Sequence, residues 1–272
     1  MSFTVLGGSG FIGSRLVASL RAAGQECFAP GRGDPQVFTR PLGHVIYCVG
    51  LTADFRQKPF ETVEAHVGLL ARVLERARFD SLLYLSSTRV YAGAEAGDES
   101  ADLRVQPQAP GDLYNLSKLM GESLCLSAGR PLVRVARLSN VYGADFGSSN
   151  FLASVIGEAL ESGRVRLGQH LESAKDYVSV ADVVALLPRL AVSGRSPIYN
   201  VAGGADVTHG ALLERISQLT GCTVEVAPDA PLVRFPSISI ARAAREFDFR
   251  PRALLDDLEA LVGAYPGKRQ AP

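Results

Sequence analysis

Tyr114 and Lys118 bracket the segment Tyr114-Asn115-Leu116-Ser117-Lys118, a four-residue spacing that sets a phenol and an ammonium on one face of a helix. A free tyrosine titrates near pKa ~10, too high for proton exchange at neutral pH, and a neighbouring cation lowers that value by stabilising the phenolate. The pair can therefore serve as a general acid or base. Ser87 ends an apolar run that begins at Ser81, where its hydroxyl can bind the same substrate oxygen as the phenol. A tyrosine and a lysine at this spacing also occur on ordinary helices as a half-buried ring and a solvated amine. The order of features along the chain favours chemistry, because a glycine turn and a serine-ended strand both come first.

The glycine turn follows directly on Phe3-Thr4-Val5-Leu6, a short apolar run that reads as a buried strand. Gly7-Gly8-Ser9-Gly10-Phe11-Ile12-Gly13 then leads into an amphipathic helix carrying Leu16, Val17 and Leu20. Strand, glycine turn and helix in succession hold a pyrophosphate: glycines admit the turn and the close approach, and the helix N-terminus offers free N–H groups. The spacing is G-x-x-G-x-x-G, rather than the commoner G-x-G-x-x-G.

Further strands are predicted at Glu26 to Ala29, His44 to Val49, Ser81 to Ser86, Pro131 to Ala136 and Ile198 to Val201. Helices are predicted from Phe60 to Arg78, with Val63, Val67, Leu70, Val73 and Leu74 as its apolar stripe, and from Tyr114 to Ser127. Their alternation implies an α/β fold, a doubly wound parallel sheet. The loop Pro30-Gly31-Arg32-Gly33-Asp34-Pro35 leaves too little chain before His44 for a full crossover, so one βα unit is shortened there. Gly93 to Gly111 reads as a surface loop. Later helices are expected at Phe151 to Gly163, from an Asp182 cap to Val192 with a kink at Pro188, at Thr208 to Thr220 and at Arg252 to Ala264. With Val165 to Leu167 and Val224 to Val226 as short strands, the division expected is 1–143 with 177–202 as the nucleotide-binding part, and 144–176 with 203–272 as a small substrate lobe.

Composition narrows the function. The chain has 272 residues, 47% hydrophobic, with 28 basic and 28 acidic side chains, so no net positive field recruits nucleic acid. No run of apolar residues is long enough to span a membrane, and the first strand lies too close to Met1 for a signal peptide. Cys27, Cys48, Cys125 and Cys222 are scattered without metal-ligand spacing and read as buried thiols of a cytoplasmic protein, with no metal site expected.

On these motifs the chain resembles the extended short-chain dehydrogenase/reductases, the family of nucleotide-sugar epimerases, dehydratases and reductases. The marks are Gly7-x-x-Gly10-x-x-Gly13, the run Leu85-Ser86-Ser87-Thr88-Arg89-Val90-Tyr91, the Tyr114/Lys118 pair, Arg137-Leu138-Ser139-Asn140-Val141-Tyr142-Gly143, Lys175-Asp176-Tyr177-Val178-Ser179-Val180-Ala181-Asp182 and Tyr199-Asn200-Val201. The resemblance implies a Rossmann-type fold and a catalytic triad of Ser87, Tyr114 and Lys118, with Lys118 also binding the nicotinamide ribose. It implies cofactor contacts from Gly7, Gly10, Phe11, Ile12, Gly13, Val49, Gly50, Leu51, Leu85 and Leu138, and substrate contacts from Ser87, Thr88, Arg89 and Asn140. It also implies a homodimer built on the helices at Phe60 to Arg78 and Tyr114 to Ser127.

Departures refine the expectation. Thr88 and Arg89 occupy the places where the family's 4,6-dehydratases carry an Asp-Glu pair, which argues against dehydration. His66 stands where the family usually has an Asn, Lys175 replaces a frequent Arg and loses a bidentate phosphate contact, and Arg234 reads as a surface residue. The shortened region before His44 favours a reductase that releases its cofactor, acting at C4 of a nucleotide-linked sugar. A 4-epimerase is the alternative, followed by reduction of a small non-sugar ketone and by a non-catalytic redox sensor. At the end of the second strand Arg32 offers a partner for a 2′-phosphate and no carboxylate holds the usual place, so NADP(H) is favoured. NAD(H) stays open because Asp34 lies just beyond.

Overall fold

The structure is a computed structural model that describes residues 1–52, 54–109, 111–130, 132–147 and 150–266. Pro110 and Pro131, which fall in the expected loop and strand, lie outside the described residues. Six parallel strands form the central sheet: β1 (Ser2–Leu6), β2 (Glu26–Phe28), β3 (His44–Tyr47), β4 (Ser81–Ser87), β5 (Val133–Leu138) and β9 (Ile198–Val201), in the order β2-β1-β3-β4-β5-β9. Between β2 and β3 there is one short helix, α2 (Gln36–Thr39), in keeping with the shortened βα unit expected there, and β2 is the sheet's edge.

Strand side chains alternate between two helical layers. Ile46, Leu83 and Leu85 pack with Leu16, Val17 and Leu20 of α1 (Phe11–Ala22) and with Val183, Leu186, Leu187 and Leu190 of α7 (Val180–Ser193). Val45, Tyr47, Leu82 and Tyr84 face the other way, onto Leu70, Val73 and Leu74 of α4 (Leu69–Arg76) and Cys125 of α5 (Asp112–Ser127). Both faces are covered, as a parallel sheet requires.

A further core gathers α6 (Phe151–Ser162), α8 (His209–Thr220) and α10 (Leu254–Gly263) around Leu152, Ile156, Leu212, Ile216 and Leu258. β7 (Arg164–Leu167) pairs in parallel with β11 (Thr223–Val226), while β6 (Asn140–Tyr142), β8 (Ala174–Ser179) and β10 (Asp206–Thr208) form a three-stranded sheet. α9 (Ala241–Phe247) lies against β9.

Two expectations need correction. The helix expected from Phe60 to Arg78 is interrupted: α3 (Pro59–Val63) runs into a π turn over Glu64–Gly68 before α4 resumes and stops at Arg76. The extra residue rotates the face, so Thr62, Ala65 and His66 are buried while Val63, placed in the apolar stripe, is 41% exposed. Such a turn displaces backbone carbonyls from the regular ladder, and the Tyr47 and Tyr84 hydroxyls donate to the Ala65 and His66 carbonyls at 2.7 and 3.3 Å. α7, in turn, is capped by Ser179, whose hydroxyl accepts from the Ala181 N–H at 3.2 Å. Asp182 sits in the first turn instead, accepting the Arg252 N–H, and the helix runs through Pro188 to Ser193.

Candidate active site

The glycine turn, the end of β4 and the start of α5 share one edge of the sheet, the carboxyl ends of the parallel strands. Gly7 takes φ +82°, and a Cβ there would lie 2.9 Å from the Cys48 and Val49 backbone. A Cβ on Gly13 would lie 2.2 Å from the Gly7 carbonyl oxygen, so helix and turn touch only because both are glycine. α1 begins at Gly10 with no side-chain cap and no acidic residue in its first turn, and Ser9 and Gly10 are exposed. The free N–H groups and positive dipole end therefore meet neither a capping side chain nor an acidic residue of the helix's own first turn, which fits a dinucleotide pyrophosphate. Phe11 and Ile12 begin the same helix, with Arg15 stacked 4.2 Å from the Phe11 ring centre.

Ser87 and Tyr114 face each other across the site. The phenol is buried, and burial holds its pKa above the ordinary value, opposed by the neighbouring Ser87 hydroxyl and then by the charge of Arg89. Lys118 lies one turn along α5 and donates from Nζ to the Leu85 carbonyl at 2.9 Å, with Nζ 5.9 Å from the Tyr114 ring centre. Burial brings the ammonium down to about 7, against the raising influence of Glu122 and Cys48. A Cβ on Gly50 would lie 3.4 Å from Lys118 Nζ and 3.1 Å from His66 Nε2, so the Val49-Gly50-Leu51 segment runs against both side chains.

The sequence marked His66 only as a departure, and the structure makes it a junction. Nε2 accepts the Leu51 N–H at 3.3 Å, which leaves Nδ1 as the protonated nitrogen, donating to Ser117 Oγ at 2.8 Å. Ser117 in turn donates to the Tyr114 carbonyl at 2.9 Å. Burial, then the nearby Lys118 charge, depress the imidazole to about 3, so it is neutral across the working pH range. The ring meets Tyr114 edge to face at 5.3 Å. α5 can approach the π turn this closely because residue 121 is glycine; a Cβ would lie 2.5 Å from the Tyr84 hydroxyl.

Beneath the site a buried ion pair joins Arg137 to Glu122 at 2.7 Å, and Glu122 also accepts from the Ser86 hydroxyl at 2.5 Å. Glu122, Ser117, Phe55 and Arg56 escaped the sequence reading. Glu122 alone carried a local signal, one helical turn beyond Lys118.

The remaining expected contacts are placed as follows. Thr88 is buried at the start of a short 3-10 turn, Thr88–Tyr91, where Ser87 Oγ accepts the Arg89 N–H at 3.2 Å. Arg89 stands over the rings of Phe55 and Tyr114, 5.1 and 5.5 Å from their centres. Leu138 packs in the sheet core, and the Asn140 amide donates to the Asp176 carbonyl at 2.8 Å. Arg32 is exposed beyond β2, and Asp34 is engaged, its carboxylate accepting the Gln36 N–H at 2.9 Å. Arg234 is exposed.

A parallel six-stranded sheet with a glycine turn and a buried tyrosine and lysine at its carboxyl edge defines a Rossmann-type nucleotide enzyme. The match of residues 3–202 to the NAD dependent epimerase/dehydratase family model places the chain in that family. It is 28% identical to the dTDP-6-deoxy-L-talose 4-dehydrogenase (NAD(P)(+)) of Kitasatospora kifunensis, over 98% of this chain and 96% of that protein. It is also 28% identical to the GDP-6-deoxy-D-mannose reductase of Pseudomonas aeruginosa, over 85% of this chain and 84% of the relative. Among solved structures, MoeE5 in complex with UDP-glucose and NAD shares the fold with a TM-score of 0.82 at 22% identity, over 97% of this chain and 98% of MoeE5.

Proposed function

We propose that this enzyme transfers hydride at C4 of a nucleotide-linked sugar, in the direction of 4-keto reduction, using Ser87, Tyr114 and Lys118 as its catalytic triad. The observation that carries the reading is the buried Tyr114 beside Ser87 at the carboxyl end of β4, with Lys118 buried one turn further along α5 and bonded to the Leu85 carbonyl. A bound nicotinamide supplies the hydride. Ser87 and Tyr114 bind the carbonyl oxygen, and the phenol gives up its proton as that oxygen gains charge. A phenol kept protonated by burial suits the acid role. Lys118, with its pKa near 7, replaces that proton and, beside Gly50, is set to meet the ribose. The C4 dehydrogenase and reductase activities named for the two relatives support this direction.

NADP(H) is the favoured cofactor, since Arg32 is exposed while the Asp34 carboxylate is already engaged by Gln36. A charge-assisted bond from Arg32 to the 2′-phosphate is worth about ten- to a hundredfold in affinity. The test is consumption of NADPH and of NADH with a panel of nucleotide-linked 4-keto sugars. We expect NADPH-dependent turnover, its abolition in Tyr114→Phe with cofactor affinity retained, and loss of the NADPH preference in Arg32→Ala. Stoichiometric NAD surviving purification would turn the reading to the epimerase.

The enzyme works as a homodimer in this reading. Phe60 and Val63 on α3 are 85% and 41% exposed, and Met120 and Leu126 on α5 are 55% and 47% exposed, an apolar load in need of cover. Light scattering at micromolar concentration should give twice the chain mass, and a monomer would refute the assembly.

A further inference from the structure

Arg89 is an unusual neighbour for a catalytic tyrosine. It lies partly buried between Phe55 and Tyr114, yet among the described residues no carboxylate or carbonyl accepts a hydrogen bond from its guanidinium. A guanidinium keeps its charge, and withdrawing it from water without an anionic partner is costly. The aromatic faces offset part of that cost. A second guanidinium makes it worse: Arg56, itself without an ion pair among the described residues, approaches the same place. A Cβ on Gly111 would lie 2.8 Å from one Arg89 terminal nitrogen and 3.9 Å from one of Arg56, so the two forks converge on the glycine that precedes α5.

The carboxylate that Arg89 feels hydrogen-bonds elsewhere. Asp112 acts on Arg89 through space, but its two oxygens accept from the Gln106 N–H at 2.6 Å and the Asn115 amide at 3.0 Å. Lys118, the other cation beside Tyr114, has both an acceptor in the Leu85 carbonyl and a compensating carboxylate in Glu122. Arg89 is therefore left partly buried without a hydrogen-bonded anion, with the exposed Arg56 beside it.

We infer that this pair receives a carboxylate borne by the sugar on the ring carbon next to the one that reacts, so that the substrate is a nucleotide-linked sugar acid. The inference rests on the nucleotide-sugar reading above and deepens it. Ser87 and Tyr114 fix the reacting oxygen, and the Arg89 guanidinium stacks over the same tyrosine ring only two residues along from Ser87. A group it meets must lie close to the reacting carbon. A planar fork matches a carboxylate through two parallel hydrogen bonds, and a neutral hydroxymethyl or methyl substituent would leave Arg89 unpaired. The diphosphate joins the sugar at C1, across the ring from C4, so it is not the group that Arg89 meets beside the reacting carbon.

The experiment is calorimetric binding to enzyme loaded with NADPH, which cannot oxidise alcohol probes. The probes are UDP-glucuronic acid, UDP-glucose and UDP, with glucuronic acid 1-phosphate and glucose 1-phosphate as a pair lacking the base. The acid member of each pair should bind about ten- to a hundredfold more tightly. Arg89→Gln should remove that advantage while leaving affinity for UDP unchanged, and Arg89→Lys, which keeps the charge but not the fork, should retain part of it. Near-ultraviolet circular dichroism checks that each variant is folded.

Equal affinity for acid and neutral probes in the parent enzyme overturns the carboxylate inference and leaves the nucleotide-sugar reading standing. An equal loss of affinity for UDP itself in Arg89→Gln also overturns it, by assigning the arginine to the diphosphate. Failure of every probe to bind overturns both readings.

Discussion

Two histidines, one beside Tyr114 and one beneath β8, are equally buried and satisfied to opposite degrees. His66 and His209 are both 0% exposed, and both imidazoles are depressed by burial first and by a lysine second, Lys118 in one case and Lys175 in the other. Yet His66 uses both ring nitrogens, toward Leu51 and Ser117, whereas among the described residues neither nitrogen of His209 has a partner. His209 is held instead by its ring, stacked 4.6 Å from Phe151, whose face also takes Lys175 Nζ at 4.1 Å. Burial and charge alone would rank the two as equivalent. Hydrogen bonding separates a junction that ties the Gly50 segment to α5 from a ring used as an apolar plate.

Substitution should expose that difference most strongly. In His66→Leu, the Leu51 N–H loses its acceptor and Ser117 loses a donor, at an expected cost of about 1–3 kcal/mol. Cofactor affinity should fall with it, because the freed segment lines the nicotinamide end of the proposed site. His66→Asn, which can accept and donate at once, should recover part of that affinity. In His209→Leu, two unsatisfied nitrogens leave and a ring stack is lost, so stability should stay within about 1 kcal/mol of the parent. Urea unfolding of the three variants, with cofactor titration alongside, measures both effects. Equal losses at the two positions would break the distinction.

The same contrast shows what could be read from the chain. The glycine turn, the Tyr114/Lys118 spacing and the serine closing β4 are local signals, each fixed by a few consecutive residues, and the shortened unit before His44 followed from counting chain length. The π turn did not, because Val63 and Val67 continue a plausible apolar stripe. What overrides it is tertiary: Tyr47 and Tyr84, from two different strands, supply hydroxyls to the displaced carbonyls, and Gly121 lets α5 come close. The surroundings of Arg89 were equally hidden, since Phe55 and Arg56 reach it from one loop and Gly111 from another. Asp182 failed as a cap for a smaller reason, that Ser179 offers an equivalent oxygen one turn earlier.

Acid should separate the histidines more gently than substitution. Each has a folded pKa below its ordinary 6.5, His209 at about 4 and His66 at about 3. As pH falls below 6.5 the unfolded chain therefore takes up a proton at each site before the folded chain does. Stability is fully present above that value and is lost as pH drops toward the folded pKa. Carboxylates titrate over much of the same window, so the informative quantity is the difference between parent and variant. His209→Leu should lose less stability than the parent from pH 6.5 to about 4, and His66→Leu should show its own advantage continuing to about 3. The window is wider for His66 because burial, ahead of the charge of Lys118, depresses its imidazole further than it does that of His209. Unfolding midpoints across this range check the slopes. Parallel curves for parent and His209→Leu would mean that this ring is protonated in the folded protein as readily as in the unfolded chain, and that its unpartnered nitrogens are reached by water.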